Sequence, residues 1–202
     1  MKTDLGAQPF LFPMPVLMIG TYNEDDSVDV MNMAWGGICG HNMVALNVAK
    51  WHKTADNVVS RGAFTLSIAD EAHLVEADFF GLASSHKVPD KFARSGLTAV
   101  KSALVDAPVI QEFPLTLECR VLEAEDYKYE SGRLHVVGEI LNVLAEESIL
   151  DAQGHVSPAA LHALVYDHMN RAYYAIGDRV GNAWKDGNIL MQGAERMHPP
   201  IR

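Results

Sequence analysis

Cysteine is scarce in this chain, with only Cys39 and Cys119 among 202 residues. Two thiols do not build a disulfide framework, and no CxxC or Cys/His metal spacing exists. Both are expected to be small buried hydrophobes in a reducing compartment. Positive charge is also in deficit. A net charge of −10 works against broad nucleic-acid binding and against attachment to anionic lipid. The opening twenty residues carry one lysine, then an acid, with prolines through their apolar part, which is neither a signal peptide nor a membrane span. The expected location is cytoplasmic. Several motifs are missing too: no HExxH, no G-x-S-x-G and no P-loop. Gly36-Gly-Ile-Cys-Gly40 is not GxGxxG, and no helix with a ribose-binding acid follows it, so a Rossmann site is rejected. His162 and His168 lie six apart, off a common helical face, and no metal site is expected.

What remains is an ordinary globular profile, 49% hydrophobic and 21% charged. Its length suits one domain over residues 1–202, with a core at 10–185 and a loose tail at 186–202. An acidic chain can hold an anionic small molecule only where cations gather locally. Two such places exist. One is the stretch 50–61, with Lys50, His52, Lys53 and Arg61; the other is 86–94, with His86, Lys87, Lys91 and Arg94. Thr54 reads as lying at or near the N-cap of a helix over 54–61 that closes at Gly62. Free backbone N–H groups, a hydroxyl and a lysine at a helix start make a seat for phosphate.

In chain order, residues 10–15 read as an extended lead-in, because each proline biases its predecessor away from helix. Strands follow at 16–22 and 28–34, joined by the polar turn 23–27. Gly36, Gly37 and Gly40 read as a loosened connection before a strand at 43–49. A strand at 64–69 and a helix at 71–82 come next, the helix burying Leu74, Val75, Phe79 and Leu82. A polar loop, 83–91, leads to a short turn around Phe92. From Pro114 the pattern is β: residues 115–122 alternate as a strand with Thr116, Glu118 and Arg120 on a wet face. The returning strand, 134–144, is apolar on both sides, so one side is expected under later helices or another subunit. A short helix opens at Ser157-Pro158, and a last strand covers 173–176. About six hairpin-linked strands with short helices indicate a mainly β fold, a β-barrel with peripheral helices.

The ordered set Asn32-Met-Ala34-Trp35, a glycine-containing turn, Asn47, Lys53-Thr54 heading a helix to Asn57, Phe64, Ser84-Ser85, Asp90-Lys91-Phe92, Gly96 and Tyr173-Tyr-Ala-Ile-Gly177 resembles the flavin reductase-like family. These are FMN-binding split β-barrels, Greek-key-like in topology, and the likeness is to their flavoredoxin-like branch over roughly residues 10–185. The resemblance implies a homodimer with FMN near the subunit interface. It implies that Lys53 and Thr54 hold the phosphate and that the ring edge lies along Asn32, Met33, Ala34 and Trp35, with Asn47 beside it. It also implies that Ser84, Ser85 and Lys91 close over the cofactor or reach it from the neighbouring subunit. In family members that are enzymes, NADH or NADPH gives hydride to flavin and electrons pass on to a second acceptor. Few catalytic side chains are then needed, since the cofactor carries the redox chemistry.

Each of these residues also has an ordinary reading. Asn32 and Asn47 could bond neighbouring turns, Trp35 could be a core or interface aromatic, and Ser84, Ser85 and Lys91 could belong to a surface loop. His86 or His168 could approach the ring. Two rival functions stay open: a flavoredoxin-like carrier fed by a redox protein partner, and a non-catalytic barrel that binds flavin or haem.

Overall fold

The computed structural model describes residues 1–191. Strands β1 (Met14–Pro15), β2 (Leu17–Tyr22), β3 (Val28–Met33), β4 (Gly36–Gly40) and β5 (Met43–Ala49) precede helix α1 (Lys53–Arg61). Then come β6 (Ala63–Ile68), a 3₁₀ turn, α2 (Leu74–Leu82), α3 (Lys91–Ser95), β7 (Ala99–Lys101) and β8 (Pro108–Ile110). The long hairpin β9 (Leu115–Asp126) and β10 (Arg133–Ala145) is followed by α4 (Pro158–Leu161), β11 (Leu164–Asp167), β12 (Ala172–Ala175) and α5 (Asn188–Met191). The last of these lies in the stretch read from sequence as tail; residues 192–202 of that stretch fall outside the described residues.

Seven strands form one antiparallel sheet in the order β3-β2-β6-β9-β10-β5-β4. Its two end strands are consecutive in the chain, separated only by Ala34 and Trp35. The sheet therefore curls until its ends meet at that link, and the Asn47 N–H donates to the Trp35 carbonyl at 2.9 Å, extending the β4–β5 ladder back to it. A three-stranded sheet, β1-β11-β12, stands apart from it.

Strand β2 faces two cores, which is why it is apolar without alternation. Leu17 and Ile19 join Leu46, Val58, Phe64 and Val136 inside the barrel. Val16 and Met18 join Val30, Phe80, Ile110 and Leu164 outside it, under α2 and the small sheet. Inside, Phe64 fills its space so fully that a Cβ built on Gly138 would lie 2.6 Å from its ring. Gly138→Ala is therefore expected to cost about 1–3 kcal/mol by overpacking. Urea unfolding of the variant measures this, and a change within experimental error would show that the ring has room to move.

Four sequence expectations need correction. The glycine-rich connection is in fact strand β4, paired with β5; a Cβ on Gly36 would meet Leu46 Cδ2 at 2.7 Å, so glycine serves close approach here rather than looseness. Helix α2 buries Ala77 and Phe80 and packs Phe79 against the same cluster as expected, but Leu74 is exposed, with Val75 at 75% and Leu82 at 79%. The wet face of β9 is dry at Thr116 and Glu118. These polar groups satisfy one another: Thr116 shares a hydrogen bond with Ser67 at 2.7 Å, and Glu118 accepts from Ser102 at 2.5 Å and Asn142 at 2.7 Å. Cys39 is exposed, because β4 is the end strand of the sheet. Cys119 is buried as expected, and burial pushes its thiol up to about 12 with help from Glu118, so it stays protonated at neutral pH.

Candidate functional site

The site grows from a carboxylate that does not belong in a strand. Asp29 sits in β3 and is completely buried, which is tolerable only with partners. It has three. Thr54 Oγ1 donates to its Oδ2 at 2.6 Å, Ser85 Oγ donates to its Oδ1, and Lys91 Nζ lies 2.9 Å from the same oxygen. Lys91 is itself buried. It is placed by α3, whose Phe92 stacks on Phe80 of α2 with centroids 6.3 Å apart.

Thr54 is consequently not the N-cap. His52 holds that position in extended conformation, and its side chain makes no capping bond. The N–H groups of Lys53 and Thr54 have no partner among the described residues, while that of Ala55 donates to the His52 carbonyl at 3.0 Å. Burial, and then Lys91, lower the His52 imidazole pKa below its ordinary value. It is neutral at pH 7 and adds no charge.

Three cavities run on from this point. The first, about 50 Å³, is enclosed by Asp29, His52, Lys53, Thr54, Ser84, Ser85 and Lys91 among others. Through Gly81 and Leu82 it adjoins a second of about 330 Å³, walled by Asn32, Met33, Ala34, Trp35, Asp78, Arg171 and Tyr173. Ala34 and Trp35 are shared with a third of about 670 Å³, which includes Asn47 and the segment 8–15. Every one of the ten residues singled out from the sequence lines one of the three.

The family described as flavin reductase like domain matches residues 10–177. This chain belongs to the flavin reductase-like family. The solved flavoredoxin of Desulfovibrio vulgaris (Miyazaki F) is 33% identical with a TM-score of 0.86, covering 93% of this chain and 100% of that one. A flavoredoxin from Methanosarcina acetivorans is 28% identical with a TM-score of 0.84, covering 95% and 100%. The uncharacterized protein YdfE of Bacillus subtilis (strain 168) is 25% identical over 181 residues, 83% of this chain and 86% of its own length.

In this flavin reductase-like chain the asparagines are tethered. Asn32 Nδ2 donates to the Ala77 carbonyl at 2.9 Å and to Tyr173 Oη at 3.4 Å, while Asn47 Oδ1 lies 2.9 Å from His135 Nδ1. Tyr173 donates to Asp78 at 3.0 Å. Burial first, and then Asp78, push its phenol up to about 12, so it remains a fixed donor across the physiological range. Trp35 is half exposed and meets His168 edge-on at 5.2 Å. His168 Nδ1 is buried without a hydrogen-bond partner among the described residues. His86 lines a neighbouring open cavity that shares Lys53 and Ser85 with the enclosed one.

Three contributors escaped the sequence reading: Asp29, Asp78 and Arg171. Asp29 had a signal, since a carboxylate between Val28 and Val30 in an apolar strand is disfavoured and asks for a partner. Arg171 had none. It adopts φ 53° in the β11–β12 turn, a conformation that arginine seldom takes. Lys50 and Arg61, counted in the basic stretch, turn elsewhere: Lys50 pairs with Asp126 at 2.7 Å, and Arg61 with Asp26 at 2.9 Å and Asp106 at 3.2 Å.

Proposed function

We propose that this protein is an FMN-dependent oxidoreductase that accepts hydride from NADH or NADPH and hands electrons to a second acceptor. The observation that carries the reading is the line of adjoining cavities, sharing walls, between a helix start without a side-chain cap and the β3–β4 link. The donor set suits a phosphate monoester: two lysines, three hydroxyls and helix N–H groups. Lys53 and the start of α1 would hold the phosphate, with Thr54, Ser84, Ser85 and Lys91 around it. Residues Asn32, Met33, Ala34 and Trp35, together with Asn47, would flank the ring. Bound FMN supplies the exchange between hydride chemistry and single-electron transfer. The chain's own part is to bind, orient and exclude water.

A homodimer belongs to the same reading. Ile38 and Leu82 are exposed at the cavity walls, Val75 is exposed on α2, and Leu141 and Val143 are exposed on β10, where no later helix covers them among the described residues. Exposed apolar groups in such number suit a subunit interface. A cytoplasmic location is part of the proposal as well; no described helix is long and apolar enough to cross a membrane.

The absorption spectrum of the purified chain with FMN, followed by anaerobic addition of each nicotinamide, tests the activity. Bleaching of bound flavin by NADH or NADPH is expected. A flavoredoxin-like carrier is the second reading, favoured by the 33% identity to a flavoredoxin; it would bleach with dithionite and ignore both nicotinamides. The phosphate seat has its own test. Lys53→Ala combined with Thr54→Val is expected to weaken FMN binding about 10- to 150-fold, the equivalent of roughly 1.5–3 kcal/mol. Unchanged affinity would place the phosphate elsewhere.

A further inference from the structure

Three donors of the phosphate seat, Thr54, Ser85 and Lys91, are already engaged by Asp29. A hydroxyl has one proton to give, and those of Thr54 and Ser85 are both given to Asp29. Lys91 is spent in the same way, as a nearly fully buried pair with Asp29 at 2.9 Å. In such surroundings neither charge can be left without the other, so the pair sums to zero. His52 is neutral. Of the groups walling the enclosed cavity, Lys53 alone brings uncompensated positive charge. The cavity itself, about 50 Å³, has room for little more than a water molecule or two. An entering phosphate must therefore take donors from a carboxylate of its own sign, at short range.

We propose that Asp29 sets the grip of the phosphate seat: by cancelling Lys91 and engaging Thr54 and Ser85, it limits how tightly the flavin phosphate is held. The inference rests on the FMN reading above and adds the residue that sets the affinity. Asp29 acts through Lys91, Thr54 and Ser85 and is a tuning residue, not a catalytic one. Asparagine at this position would keep the shape and one acceptor oxygen while removing the negative charge. Lys91 would then face the phosphate with its charge intact, and both hydroxyls could turn toward the ligand.

The test is a pair of titrations, FMN and riboflavin, on wild type and on Asp29→Asn, followed by flavin fluorescence. Riboflavin lacks the phosphate and reports everything else in the site. Asp29→Asn is expected to tighten FMN by about tenfold or more while riboflavin shifts by less than about threefold. FMN binding that is unchanged or weaker overturns the inference, because Asp29 would then be only a scaffold for its neighbours. A wild-type chain that binds neither flavin overturns the FMN reading together with it. Should Asp29→Asn fail to fold, the double variant Asp29→Asn/Lys91→Met decides. If Lys91 is already cancelled, removing both charges leaves FMN affinity within about threefold of wild type, whereas a loss of tenfold or more shows Lys91 gripping phosphate directly and overturns the proposal.

Discussion

Lys91→Met is expected to destabilise the fold by about 3–5 kcal/mol, because it strands a completely buried carboxylate without its counter-charge. The methionine itself packs acceptably; the loss comes from Asp29. Thr54 and Ser85 still donate to that carboxylate, but two neutral hydroxyls do not replace an ammonium group 2.9 Å away. Replacing both members, Asp29→Asn/Lys91→Met, should recover most of the loss, since a neutral pair of similar volume needs no compensation. Chemical denaturation followed by tryptophan fluorescence measures all three proteins. A single-variant loss below about 1 kcal/mol would mean that water reaches Asp29 and that the pair is not dry.

Phe64→Ala should cost a similar amount, about 3–5 kcal/mol, for an unrelated reason. Phe64 is wholly buried at the centre of the barrel cluster, and its ring fills the space that Gly138 leaves open beside Cys119. Removing it leaves a void that the hydrogen-bonded strands β6, β9 and β10 cannot close without breaking their register. The control is Val59→Ala on the outer face of α1, where 57% exposure predicts a change of about 0.5 kcal/mol or less. Comparable losses at the two positions would show that Phe64 is not part of a rigid core.

Local chemistry was legible from residues alone where it depended on neighbours in sequence. The hairpin at 23–27, the start of the short helix at Ser157 and the close of α1 before Gly62 all stand as the sequence indicates. Alternation misled where polar residues are buried against each other. Thr116 and Glu118 look solvated in one dimension, yet their partners Ser67, Ser102 and Asn142 come from distant strands and loops. Helix α2 misled for the opposite reason: Val75 and Leu82 are apolar enough for a core but are turned away from this one. For the site, the basic stretch leads to the enclosed cavity that Lys53 and Thr54 line, with His52 rather than Thr54 at the N-cap itself. The hydroxyl of Thr54 faces back across the barrel to a carboxylate more than twenty positions earlier, a contact that no local spacing encodes.

The link at Ala34 and Trp35 governs the order in which the barrel can be built. Three hairpins, β2–β3, β4–β5 and β9–β10, need only nearby residues. The ring is completed when β10 finds β5, pairing Arg133 with Ala49 and Glu139 with Met43, a search across nearly half of the chain and so the slow step of assembly. Until that docking, Asn47 lacks His135 and the inner cluster lacks Val136. On the proposed FMN reading, ligand capture thus becomes a readout of finished folding, and the cofactor rewards only a chain that has closed.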